Sequence, residues 1–231
     1  MAVGSKTFPE QLPADPLPSL WPLAASSRWR PWLETLWVFG LLEAVLWTPR
    51  SLFHSVLIAL VAISPIWFTI RSGRSLRELG LVWPAKAVTR WILMVGALLA
   101  LAFPAVALLT GHPVPANAAW PTVRNLLPYI LWAFFQQFLL QSFFFLRMES
   151  AAGTTAAVWL STFLFTIAHL PNFPLLALTF LGALFFTDLF RRFRSIYPLG
   201  LVHAMLGIAI AYSFPDSIMH HMRVGLSFAR F

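Results

Sequence analysis

The stretch AFFQQFLLQSFFFLRM, residues 133–148, decides the fold. It is a run of aromatic and aliphatic side chains with three glutamines set into it: Gln136, Gln137 and Gln141. A hydrocarbon core about 30 Å thick takes roughly 20 apolar residues to cross as a helix. The apolar window around this stretch is 126–146, and windows of similar length lie at 32–48, 51–70, 91–110, 154–170, 173–190 and 195–214. With 59% hydrophobic and 10% charged residues, the chain lies outside the range of soluble domains. Windows this long exclude core strands, and no segment alternates as a membrane-barrel strand does. The expectation is an all-α polytopic transmembrane helical bundle of about seven spanning helices in a single domain, 32–214.

The flanks are polar. Residues 1–31 carry Pro9, Pro13, Pro16, Pro18 and Pro22 and lack the apolar stretch of a signal peptide, so a disordered tail without a cleavable signal is expected. Residues 215–231 are too short and polar for another span and read as a C-terminal tail. The absence of cysteine excludes disulfides and thiolate metal sites. The net charge of +8 is unevenly placed: with seven helices threaded in order, twelve of the sixteen Lys and Arg fall on the side holding the N-terminal tail, the 71–90 loop and the turns at 147–153 and 191–194. That bias predicts a cytoplasmic N-terminus and an outside C-terminus, and the expected location is a bacterial-type plasma membrane. The charge is topological, and no nucleic-acid partner is expected.

Within lipid an unsatisfied polar group costs several kcal/mol, so the three amides should face other helices. Gln137 and Gln141 are four residues apart and share a helix face, whereas Gln136 lies about 100° round from Gln137. Taken alone they read as interhelical hydrogen-bonding residues. Two further apolar windows each carry a histidine: His169 in STFLFTIAHLPNFP and His203 in RSIYPLGLVHAMLGIAIAY. Three polar stations on three helices are the kind of set that marks intramembrane function. On straight helices their depths would differ, about 10 Å for His203, 15 Å for Gln136 and 20 Å for His169 from the basic edge. A single site therefore needs a tilt or a break, and Pro171, Pro174 and Pro198 are candidate places.

Three stations in this order resemble the CPBP (CAAX protease and bacteriocin-processing, or Abi) family of intramembrane endopeptidases. That family reads Glu-Glu-x-x-x-Arg, then Phe-x-x-x-His, then His-x-x-x-Asn or Asp; here the corresponding segments are QQFLLQ, FTIAH and HAMLG. RSLRELGLVWP (74–84) is similar to the family's basic segment before the core, and the resemblance covers about 70–210. It implies a water-activating glutamate at position 136 acting with His169, a second glutamate at 137, an arginine at 141, and an oxyanion site at His203 with an Asn at 207.

The departures from that pattern are chemical. Gln136, Gln137 and Gln141 replace both acids and the arginine, and Gly207 replaces the Asn. An amide cannot hold and release a proton as a general base must, and Gly207 has no side-chain donor for an oxyanion. Replacing both members of an i, i+4 ion pair by amides keeps a contact while leaving no charge stranded. The reading is a pseudoprotease that binds a membrane-anchored peptide or partner protein amid membrane lipid. The alternative is an active endopeptidase using His169 with water, or Glu43 as a displaced acid. Glu43 is the acid nearest the middle of a window, and its simpler reading is a hydrogen-bonded glutamate inside the bundle. Asp188 should pair with Arg191 and Arg192, Glu149 should be solvated beside Arg147, and His220 and His221 should lie on the surface. Two histidines are too few ligands for zinc, so neither a metal nor another cofactor is expected.

Overall fold

The structure, a computed structural model, describes residues 29–111 and 123–229. The proline-rich segment thus lies almost wholly outside the described residues. Those described form helices and connecting turns: α1 (Arg30–Trp47), α2 (Leu52–Arg71), α3 (Lys86–Leu109), α4 (Val123–Gln137), a π-helix (Phe138–Phe145), α5 (Leu146–Ala152), α6 (Thr154–Ile167), α7 (Phe173–Phe193), α8 (Tyr197–Ser213), and short terminal turns that include α9 (Asp216–Met219) and α10 (Leu226–Ala229). The chain is all-α.

Local chemistry sets the boundaries. Ser51 caps α2 by accepting from the His54 amide at 3.1 Å, and Asn172 caps α7 by accepting from Leu175 at 3.2 Å. Proline stands in the first turn of α1, α7 and α8, where its missing N–H costs nothing. Among the described residues, four helical stretches are long and apolar enough to cross a membrane: Leu52–Arg71, Lys86–Leu109, Leu126–Ala152 and Phe173–Phe193. Tyr197–Ser213 and Asp216–Met222 meet at a bend of 119° and are either a fifth, broken span or a re-entrant loop. Seven spans are therefore not established. α6 shows why: its 14 residues reach only about 21 Å, and the chain leaves the helix at Ile167 instead of the expected 170.

The continuous helix 123–152 is the centre of the bundle. Its middle widens into π geometry, and residues 139–148 are all buried. Aromatic rings hold that segment from several sides: Phe143 on Phe68 of α2 (6.4 Å), Phe144 on Phe39 of α1 (6.4 Å) and Phe145 on Phe190 of α7 (5.6 Å). α8 packs against α3 and α4, and α6 against α7, α5 and the π-helix. Gly200 permits the α4–α8 approach, since a Cβ there would lie 2.6 Å from the Phe134 ring.

The segment between α2 and α3 closes one end of the bundle. Ser142 donates to Leu79 O (2.7 Å), and the Ile196 amide donates to Gly80 O (2.9 Å). Within this segment, hydrogen bonds from the Ser75 side chain and backbone hold the Glu78 carboxyl below its ordinary pKa. The same end carries two ion pairs that correct the sequence reading. Glu149 is not solvated beside Arg147 but engages Arg194 through both oxygens (2.9 and 2.6 Å). Arg147 turns inward, pairs with Glu34 of α1 at 2.9 Å and lies over the Phe143 ring at 3.8 Å. Long-range pairing of this sort leaves no trace in local spacing. The i, i+3 and i, i+4 pairs of Asp188 with Arg191 and Arg192 do form, at 2.5 and 2.8 Å.

Residues 215–229 are docked to the bundle. Asn172 Nδ2 donates to Met219 O (2.9 Å) and Arg223 O (3.1 Å), and the Gly225 amide donates to Leu170 O (2.7 Å). Gly225, at φ +57°, lies so close to the Leu46 carbonyl that no side chain could be added there. His221 faces outward and pairs with Asp216 at 2.8 Å, while His220 lies against Phe228.

Candidate functional site

Gln137 is the last residue of α4 before the π-helix, and Gln141 lies within the π-helix; both are fully buried. Gln141 Nε2 donates to Gln137 Oε1 at 3.4 Å, and Gln137 Nε2 meets His203 Nδ1 of α8 at 3.0 Å. The His203 ring is stacked on Phe186 of α7 (5.5 Å, interplanar 19°), which fixes its plane.

His169 sits in the turn just beyond α6. Its Nδ1 donates to Phe165 O at 2.7 Å, because a carbonyl can only accept. The Phe165 ring packs against both histidines, 4.9 Å from His169 and 6.2 Å from His203. α6 ends at Ile167, and the break between it and the Asn172 cap of α7 carries His169 and the cis Leu170–Pro171 bond.

The two imidazoles are held in opposite tautomers. His169 carries its proton on Nδ1, leaving a lone pair on Nε2. His203 accepts at Nδ1 from the Gln137 amide, which puts its proton on Nε2. One ring thus offers an acceptor and the other a donor, and both residues are only partly buried.

Of the other expected positions, Gln136 is half-buried, and its amide makes no hydrogen bond among the described residues. Gly207 is buried, with the Tyr129 hydroxyl of α4 occupying the place a side chain would take. Tyr129 was missed by the sequence reading. Its signal was present, since it lies seven residues before Gln136 and so shares that helix face. Glu43 accepts from Trp47 on its own helix at 3.1 Å, and among the described residues no hydrogen bond or ion pair joins it to either imidazole. Among the described residues, no three His, Asp or Glu side chains converge as metal ligands would.

Residues 118–209 match the family model described as type II CAAX prenyl endopeptidase Rce1-like. This segment is Rce1-like. No curated protein and no solved structure matches the chain. The Rce1-like segment contains the paired glutamines, the Phe165–His169 turn and the His203–Gly207 turn, so one match spans all three polar stations. The membrane character of the chain rests on this match together with its long apolar helices.

Proposed function

We propose that this chain is a non-cleaving member of its family that binds a membrane-anchored peptide between His169 and His203. The observation that carries the reading is the chain of neutral hydrogen bonds from Gln141 through Gln137 to His203. Where the resemblance implies an acid pair and an arginine, this protein has amides, of which Gln137 bonds both Gln141 and the histidine. Neither amide in that chain can accept and return a proton near neutral pH.

Binding remains chemically available. A peptide backbone presents both a carbonyl acceptor and an N–H donor, and the site offers their complements: Nε2–H of His203 and the Nε2 lone pair of His169. The Phe165 and Phe186 rings pack against these imidazoles, and hydrogen bonds gain strength in low-dielectric surroundings. The basic end of the bundle is assigned to the cytoplasmic side, with the N-terminus there, on the charge distribution.

The test is reconstitution in liposomes with a lipid-anchored peptide bearing a photo-crosslinker. The natural chain should crosslink without cleaving, and His169→Ala with His203→Ala should lose the crosslink. Cleavage by the natural chain that disappears in the double variant would overturn the proposal in favour of an active endopeptidase based on His169 and water. Gln136→Glu together with Gln137→Glu should leave cleavage at background, because Gly207 and Gln141 remain.

A further inference from the structure

A hollow that neither histidine lines lies at the basic end of the bundle. Its volume is about 540 Å³, and it is lined by Trp83, Pro84, Lys86, Thr89 and Arg90. We propose that it binds the phosphate group of an anionic phospholipid in the adjoining leaflet.

The charge argument comes first. Lys86 and Arg90 are exposed and four residues apart on α3, so they share a face. The six described carboxylates are all engaged elsewhere: Glu34 with Arg30 and Arg147, Glu43 with Trp47, Glu78 with Ser75, Glu149 with Arg194, Asp188 with Arg191 and Arg192, and Asp216 with His221. Two adjacent cations are therefore left without a carboxylate from the described residues, beside a concave wall.

That wall is preformed. Trp83 stacks on Tyr197 at 4.9 Å and 15°, and the Tyr197 hydroxyl donates to Leu81 O at 3.4 Å. Trp91, next to Arg90, is half exposed and packs on Phe193 at 6.3 Å. Exposed indoles at the end of an apolar helix mark the headgroup level.

The helix below the hollow favours a lipid over a free anion. Met94, Leu98 and Leu101 continue the face of Arg90 down α3, and all three are about two-thirds exposed. A phosphate held at Lys86 and Arg90 would place its acyl chains along that stripe.

Native mass spectrometry of the full chain in detergent tests this, comparing phosphatidylglycerol with phosphatidylcholine of identical acyl chains. The natural protein should retain phosphatidylglycerol preferentially, and each cation removed in Lys86→Gln and Arg90→Gln should lower that preference about fivefold. Lys86→Arg with Arg90→Lys should preserve it. So should Arg191→Gln with Arg192→Gln, which removes equal charge from a cluster where both cations are paired with Asp188. Undiminished preference in the double Gln variant, or an equal loss in the Arg191 and Arg192 variant, would overturn the site. Displacement of the lipid by millimolar inorganic phosphate would assign the hollow to a free anion instead.

Discussion

Gln137 connects the two amides to His203, and at that residue the chemistry of the site changes character. A glutamate there would impose charge on a fully buried position; the amide offers a donor and an acceptor and needs no counter-ion. Gln137→Leu should cost about 0.6 kcal/mol for the interhelical bond and about 1–3 kcal/mol more for the imidazole nitrogen left unpaired. Unfolding in mixed micelles measures the stability, and loss of the peptide crosslink reports the released His203 tautomer. Gly207 belongs to the same scale. Because the Tyr129 hydroxyl fills its side-chain space, Gly207→Ala should destabilise by about 1–3 kcal/mol through overpacking. Tyr129→Phe, which removes the obstructing oxygen, should recover part of that loss. A double-mutant cycle reads the coupling, and strictly additive effects would separate the two residues.

Among the elements, the π-helix and α8 determine whether these residues meet. A π segment commonly marks a functional position, and here it begins at the residue after Gln137. Its breadth is sustained by aromatic contacts from α1, α2 and α7, none adjacent in sequence. α8 approaches because Gly200 faces Phe134. Gly200→Leu should force α4 and α8 apart and weaken peptide crosslinking at least as severely as Gln137→Leu, with helix content by circular dichroism unchanged. Arg147 joins α5 to α1 with only 6% of its side chain exposed. Glu34→Gln would leave that cation buried without its partner, at about 3–5 kcal/mol. Arg147→Met with Glu34→Gln should recover much of the loss.

At the scale of the whole molecule, the docked segment 215–229 and the basic end have different roles. The former holds the break after α6, through Asn172 and the Leu170 carbonyl, and thereby the position of His169. Asn172→Ala removes an N-cap worth about 1 kcal/mol and both ties to the terminal segment. Limited proteolysis should then nick 215–229 several-fold faster, with the peptide crosslink reduced in parallel. Equal nicking rates would show that this segment is held by its own packing.

Much of this was legible in the chain. Apolar windows placed the long helices to within a few residues, because burial in hydrocarbon imposes a length and a composition that composition alone reveals. The i, i+4 spacing of Gln137 and Gln141 anticipated their contact, and the spacing of Asp188 with its arginines anticipated that ion pair, since both depend only on helix geometry. The tertiary structure decided the rest. It paired Glu149 with Arg194 and Glu34 with Arg147, chose Gln137 over Gln136 as the partner of His203, set Tyr129 against Gly207, and folded 215–229 onto the bundle. The physical reason is range: a helix repeats its own geometry every few residues, whereas a contact between helices depends on their rotation and separation, which the packing of all of them fixes together.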